Sequence, residues 1–172
     1  FKEAFSALYR GNYPIYSIKS LSKLITSGIT PKSGGEAYTD DKETGIPFIR
    51  SGNIDINGDF DFEDLLYIKP EIHETVMKSS QVYKNDLMIA IVGATIGQVG
   101  IFLDEREANI NQAIALVRLK EGNNIQYIKE LIKSRVGQLS LNRLKRPVAR
   151  ANINLEEIST IKIPLPPLAK QQ

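Results

Sequence analysis

From Leu87 to Val92 the chain runs through six apolar residues without a break, and Gly93 ends the run. Six residues are too few for a free-standing globular helix, so the spacing predicts a strand covered on both faces. Ile96, Val99, Ile101 and Phe102 supply a second apolar set directly afterwards. The residues between them, around Gly93, Ala94, Thr95 and Gly97, leave room only for a tight reversal, and a central hairpin follows. The spaced glycines do not make a phosphate cradle. A Walker loop ends in Gly-Lys-Ser/Thr and a dinucleotide fingerprint opens into a helix, whereas Gly97 leads into another strand. The turn itself, or close approach of backbone, accounts for each glycine.

The flanking segments then fall into place. Phe1, Ala4, Phe5 and Leu8 have helical spacing, stopped by Arg10-Gly11-Asn12-Tyr13-Pro14. Ile18, Leu21, Leu24 and Ile25 repeat that spacing and predict a second short helix ending at Gly28, with Pro31 excluding continuation. Lys32 to Gly45 is a polar, glycine-rich loop. Strands are predicted over Ile46 to Ile54, over Phe60 to Ile68 after the Asn57-Gly58 turn, and over Asn109 to Leu119. Pro70 opens a short helix. Ile125, Ile128, Leu131, Ile132 and Val136 share one face of an amphipathic helix, which Leu139, Leu141 and Leu144 continue after a bend at Gly137. Pro147 breaks it, Asn154 caps a restart, and Ile161 to Ile163 is a last strand. In a chain of 172 residues with 42% hydrophobic content, these elements define one mixed α/β (α+β) domain: a twisted, largely antiparallel sheet with flanking helices.

Charge is the second informative feature. The net charge is only +2, yet its distribution is lopsided. Nine acids face two bases between Glu36 and Asp64, whereas seven bases face one acid between Lys129 and Arg150. Nucleic acid would therefore meet a localised cationic patch. The chain has no cysteine, which excludes disulfides and thiol chemistry. No run is long enough to span a membrane, so a cytoplasmic protein is the expectation. The first residue is Phe1, and an excerpt of something larger is expected.

Little in the sequence points to catalysis. His73 is the only histidine, which rules out a triad or a histidine-rich metal site, and a solvated helix face explains it. Asp59, Asp61, Glu63 and Asp64 alternate with Phe60 and Phe62 as the outward face of a strand would, and they lack the spacing of a calcium loop. The only Pro-Pro stands in Leu165-Pro166-Pro167-Leu168, without the acid or amide and the ring that base-flipping adenine methyltransferases use. Asp40-Asp41-Lys42 lies in a loop rather than on the strand a nuclease needs. No catalytic residue, metal site or cofactor is assigned.

Binding chemistry concentrates instead in Arg143, Lys145, Arg146, Arg150 and Asn152 around Pro147. Arginine and lysine contact phosphates, an arginine fork fits guanine, and asparagine both donates to and accepts from adenine. Lys32, Arg50, Asn53, Lys84, Thr95, Gln98, Asn111 and Gln112 are secondary candidates, because they stand at or near turns of the predicted sheet. Asn111 and Gln112 could equally satisfy backbone groups inside it.

Five blocks complete the reading. Gly28-Ile29-Thr30-Pro31, Gly45-Ile46-Pro47-Phe48-Ile49-Arg50 with Asn53-Ile54, Asn85-Asp86-Leu87-Met88-Ile89 leading to Gly93-Ala94-Thr95-Ile96-Gly97, Asn111-Gln112, and Ile161 to Gln171 with its Pro164-Leu165-Pro166-Pro167-Leu168 occur in this order. The order resembles that of the specificity (S) subunits of type I restriction-modification enzymes, over nearly the whole chain. The resemblance implies a non-catalytic target-recognition domain over residues 13–165 that reads one half of a split duplex-DNA site. Residues 1–12 would end a preceding spacer helix and residues 166–172 would start the next. The implied partners are double-stranded DNA, the adenine methyltransferase (modification) subunit and the restriction subunit. Recognition residues in that family vary with the target, so none is carried over by position. A recognition domain fused behind an adenine methyltransferase, or a protein-interaction module using the acidic stretch, would share many of these features.

Overall fold

Leu87 to Ala90 forms a strand in which every side chain is buried, as a run without polar alternation requires. A computed structural model describes residues 7–32, 35–144 and 152–171. In chain order its strands are β1 (Ile15–Ser17), β2 (Ser22–Ser27), β3 (Ile46–Ile49), β4 (Leu66–Ile68), β5 (Gln81–Val82), β6 (Leu87–Ala90), β7 (Val99–Ile101), β8 (Ala108–Ile110), β9 (Ile114–Leu119) and β10 (Lys162–Pro164). Its helices are α1 (Ile18–Leu21), α2 (Pro70–Glu74), α3 (Ile125–Lys133), α4 (Arg135–Leu144) and α5 (Leu155–Ser159), and residues 7–10 are also helical.

The strands form two four-stranded sheets, ordered β2-β9-β6-β7 and β4-β3-β8-β5, and a small β1-β10 pair. All pairings are antiparallel except β3 with β8. The predicted single sheet is thus two, and β6 explains how they stack. Leu87 and Ile89 join Val117, Ile128, Leu131 and Ile158 in a core between the first sheet and the helices. Met88, on the opposite face, joins Ile49, Phe102, Ile110 and Leu116 between the two sheets. Alternate residues of one strand therefore serve different cores. A smaller cluster of Phe48, Ile68 and Met77 lies on the second sheet.

The structure revises several boundaries. The predicted helix ending at Gly28 is a single turn, α1, capped by Ser17, whose hydroxyl accepts from Ser20 N at 3.2 Å. Leu24 and Ile25 belong to β2, paired along β9. Hydroxyl-bearing Ser22, Thr26 and Ser27 disfavour a longer helix, and a ready partner strand decides the matter. Asn109 to Leu119 divides into β8 and β9 at a turn where Asn111 Oδ1 accepts from Ala113 N. After Ile49 the chain leaves the strand for a 3₁₀ turn at Ser51–Asn53. The bend between α3 and α4 falls at Ser134, not Gly137. Gly137 has another purpose: a Cβ there would lie 2.4 Å from the Leu131 and Ile132 carbonyl oxygens. The acidic stretch is a set of capped turns rather than a strand face, since Asp55 Oδ1 accepts from Asn57 N and Asp59 N at 2.7 and 2.9 Å. His73 is buried, not solvated.

Candidate nucleic-acid interface

Backbone pairing gathers five loops at one end of the sheets. Asn111 N donates to Ile49 O, joining the turn after β8 to Arg50. Ile91 N donates to Ala113 O, and Ile153 N donates to Ile91 O beside the Val92–Asn152 bridge. Gly28 packs so closely on Ile110 and Asn111 that an added Cβ would fall 1.7 Å from Ile110 O, and Thr30 donates to the Gln112 side chain. Gln138 Nε2 on α4 donates to Gly97 O at 2.9 Å, fixing the helix to the β6–β7 reversal.

That reversal is built by backbone geometry. Gly93 and Gly97 have φ of 78° and 94°, the left-handed region where glycine is least strained. Gly97 N closes the loop on Ala90 O, and Gln98 N on Thr95 O. A cleft of about 370 Å³ opens beside it, between Ile56, Ala94, Gln98, Lys133 and Gln138. Gln98 Oε1 is buried without a hydrogen-bond partner among the described residues, and Lys133 donates to Asn57 O across the cleft mouth.

The sequence candidates separate on this frame. Thr95, Gln98, Asn111, Gln112 and Asn152 share the loop end. Arg143 is exposed on the last turn of α4, the helix that Gln138 anchors there. Lys32 is exposed just beyond Pro31. Arg50 lies at this end too, but its Nη2 donates to Asp64 O and Oδ2 at 2.8 and 2.9 Å, and Asn53 Oδ1 accepts from Arg50 N. It is tied into the acidic loop rather than free. Lys84 is at the opposite end of β6, next to Asn85 whose N–H bonds Phe102 O, and is ion-paired with Glu105. Lys145, Arg146 and Arg150 lie outside the described residues. Gln138 and Lys133 were not legible as site residues, because helical periodicity says only that they face away from the core.

The fold is one that solved S-subunit structures share. A crystal structure of an HsdS subunit from Thermoanaerobacter tengcongensis superposes with a TM-score of 0.62 at 16% identity, covering 97% of this chain and 39% of that one. The S subunit of a type I restriction-modification system from M. genitalium gives 0.59 at 15%, covering 93% and 36%. The type I restriction modification DNA specificity domain family matches residues 9–172, and the chain belongs to that family. Its relatives include the type I restriction enzyme EcoBI specificity subunit of Escherichia coli, 33% identical over 77% of this chain, and the EcoKI specificity subunit, 26% identical over 76%. The chain spans 27% and 28% of those proteins. Among the described residues no helix is long and apolar enough to cross a membrane.

Proposed function

We propose that this chain recognises one half of a bipartite duplex-DNA target, as the specificity component of a type I restriction-modification system. The observation that carries the reading is the convergence of turns at one end of a rigid double sheet, in a chain of the DNA specificity family. Sheet and helices hold the scaffold while the loops present Thr95, Gln98 and Asn152 and the end of α4 presents Arg143. Scaffold-borne loops of this kind can vary in sequence without disturbing the core. Lys32, Lys145, Arg146 and Arg150 add phosphate-binding charge, and Arg50 keeps the neighbouring acidic loop in place. Lys84 has no part in this surface.

The domain proper would be residues 13–165, with residues 1–12 and 166–172 belonging to spacer helices that carry the methyltransferase and restriction subunits. The chain supplies the address and those partners supply the chemistry.

Selection of random duplexes by the chain assembled with its methyltransferase subunit tests the reading. Enrichment of one short half-site is expected, with affinity falling steeply as salt rises. Arg143→Ala, Arg146→Ala and Arg150→Ala should each weaken binding, a phosphate contact lowering the salt slope by about 1 and a base contact relaxing the selected sequence. Binding with no selected sequence, unchanged in all three variants, refutes it.

A further inference from the structure

Away from the loop end, α2 and the start of β8 enclose a second polar cluster. His73 is 2% exposed and Asn109 fully buried. Asn109 Nδ2 donates to Met77 O at 2.9 Å and to Ser80 Oγ at 3.3 Å. These two contacts fix the amide, so its Oδ1 is the atom against His73 Nδ1. An amide oxygen can only accept. A ring hydrogen therefore sits on Nδ1, and Nε2 is the ring atom left to meet the surroundings. Nε2 faces carboxylates, Glu107 Oε2 at 2.8 Å and Glu74 Oε1 at 3.8 Å, and a metal ion bound there would take the place of any proton it shares with Glu107. Among the described residues no lysine or arginine pairs with either one. Three groups able to ligate a cation thus meet around one point, with ligand atoms all within 4.8 Å of each other.

We propose that His73 Nε2, Glu74 and Glu107 form a binding site for a divalent transition cation of the Zn²⁺ class. Zinc takes imidazole nitrogen and carboxylate oxygen at about 2.0–2.2 Å, which places tetrahedral ligand atoms roughly 3.3 Å apart. The observed 2.8 and 3.8 Å bracket that spacing, so small opposite movements of two half-exposed glutamates complete it. The Nδ1 contact to Asn109 supplies the outer-shell hydrogen bond by which metal-binding histidines are oriented. Imidazole favours zinc-class ions over Mg²⁺ and Ca²⁺, which prefer oxygen alone. Both glutamate side chains are exposed, so solvent could supply a fourth ligand. A cation held here would staple α2 to the strand whose far end carries Asn111.

The test is calorimetric titration of the chelator-treated full chain with Zn²⁺ alone, repeated with Mg²⁺ and with Co²⁺ as a spectroscopic probe of coordination. One Zn²⁺ per chain, a raised Tm and a Co²⁺ spectrum with a nitrogen ligand are expected, with no response to Mg²⁺. Glu107→Gln and Glu74→Gln, which keep the buried His73–Asn109 contact, should each weaken Zn²⁺ binding about tenfold or more. His73→Ala should abolish it, but it also disturbs the core, so the glutamine variants decide. Absence of Zn²⁺ binding, binding unchanged in both glutamine variants, or ¹⁵N NMR showing a proton on both His73 nitrogens in the presence of Zn²⁺ overturns the proposal.

Discussion

The two ends of β6 show what turns a charged residue into a binding residue. At its start, Asp86 Oδ1 and Oδ2 accept from Arg118 Nε and Nη2 at 2.8 and 2.6 Å, while Lys84 pairs with Glu105 and Arg106 with Asp104. Each of these three cations already has its anion. At its end, polar groups are held by backbone: Asn152 through a bridge, Gln98 through its own turn, Gln138 through a glycine carbonyl. Arg143, on the helix beside them, has no ion-pair partner among the described residues. Density of charge along the sequence cannot distinguish these ends, because the decisive quantity is whether a charge has been neutralised across the fold.

The most severe way to break the contrast is at the paired end. The Asp86 side chain is 2% exposed and that of Arg118 28%; Asp86 also accepts from Tyr83 N at 2.8 Å, and the guanidinium lies 4.6 Å over the Tyr83 ring. Asp86→Ala would leave a half-buried guanidinium and a backbone N–H unsatisfied. A loss of about 3 kcal/mol is expected in urea unfolding, at the lower end of the range for breaking a buried pair because Arg118 reaches water. Any folded fraction should bind DNA normally. Specific loss of DNA binding at unchanged stability would erase the distinction between the ends.

Gly97→Ala sharpens the other side. The left-handed φ of 94° strains any side chain, and a Cβ would meet Gln138 Oε1 at 2.5 Å. The flexible amide can move, so the cost in stability should be about 1–2 kcal/mol. Moving it also releases Gly97 O, and DNA affinity should fall by more than the stability change explains. Anisotropy titration beside thermal melting separates the two effects.

Much of the scaffold was legible because its signals are local. The Leu87–Ala90 run predicts a strand covered on both faces, and Asn154 with Glu157 three residues later forms the capping box that starts α5. What escaped depends on distant partners. Leu24 and Ile25 fit helical spacing and strand alternation equally, and only β9, about ninety residues on, decides between them. His73 reads as solvated until Glu107 and Asn109, 34 and 36 residues away, close around it. Lys84 resembles any other turn cation until Glu105 is placed beside it. Of the candidate interface, the loop positions followed from glycines and asparagines at strand ends, whereas Gln138 and Lys133 depend on where α3 and α4 dock.

Alkaline pH probes a region that belongs to neither end. Tyr9 donates to Lys162 O at 2.7 Å and Tyr127 to Pro164 O, so both phenols brace β10. Burial pushes each up from 10.0 to about 12. A phenol that holds its proton more tightly when folded contributes its full stabilisation below pH 10 and loses it as pH rises toward 12. Unfolding should therefore begin in that window, together with the rise in tyrosinate absorbance. Tyr127→Phe should remove part of the pH dependence and leave DNA binding at neutral pH unchanged.

The smallest expected effect makes the most direct comparison. Lys84 and Glu105 are exposed, with side-chain exposures of 46% and 80%, so the pair gains little Coulomb energy in water and gives up side-chain freedom. Lys84→Ala should change stability by less than about 0.5 kcal/mol and leave DNA affinity and its salt slope untouched. Arg143→Ala should be equally mild for folding, since nothing described depends on its charge, yet it should weaken DNA binding. Two exposed cations with the same cost to the fold and opposite consequences for the ligand would locate the interface at the loop end. If Lys84→Ala lowers the salt slope by about 1, the phosphate backbone also crosses the paired end, and the Glu105 contact must open when DNA binds.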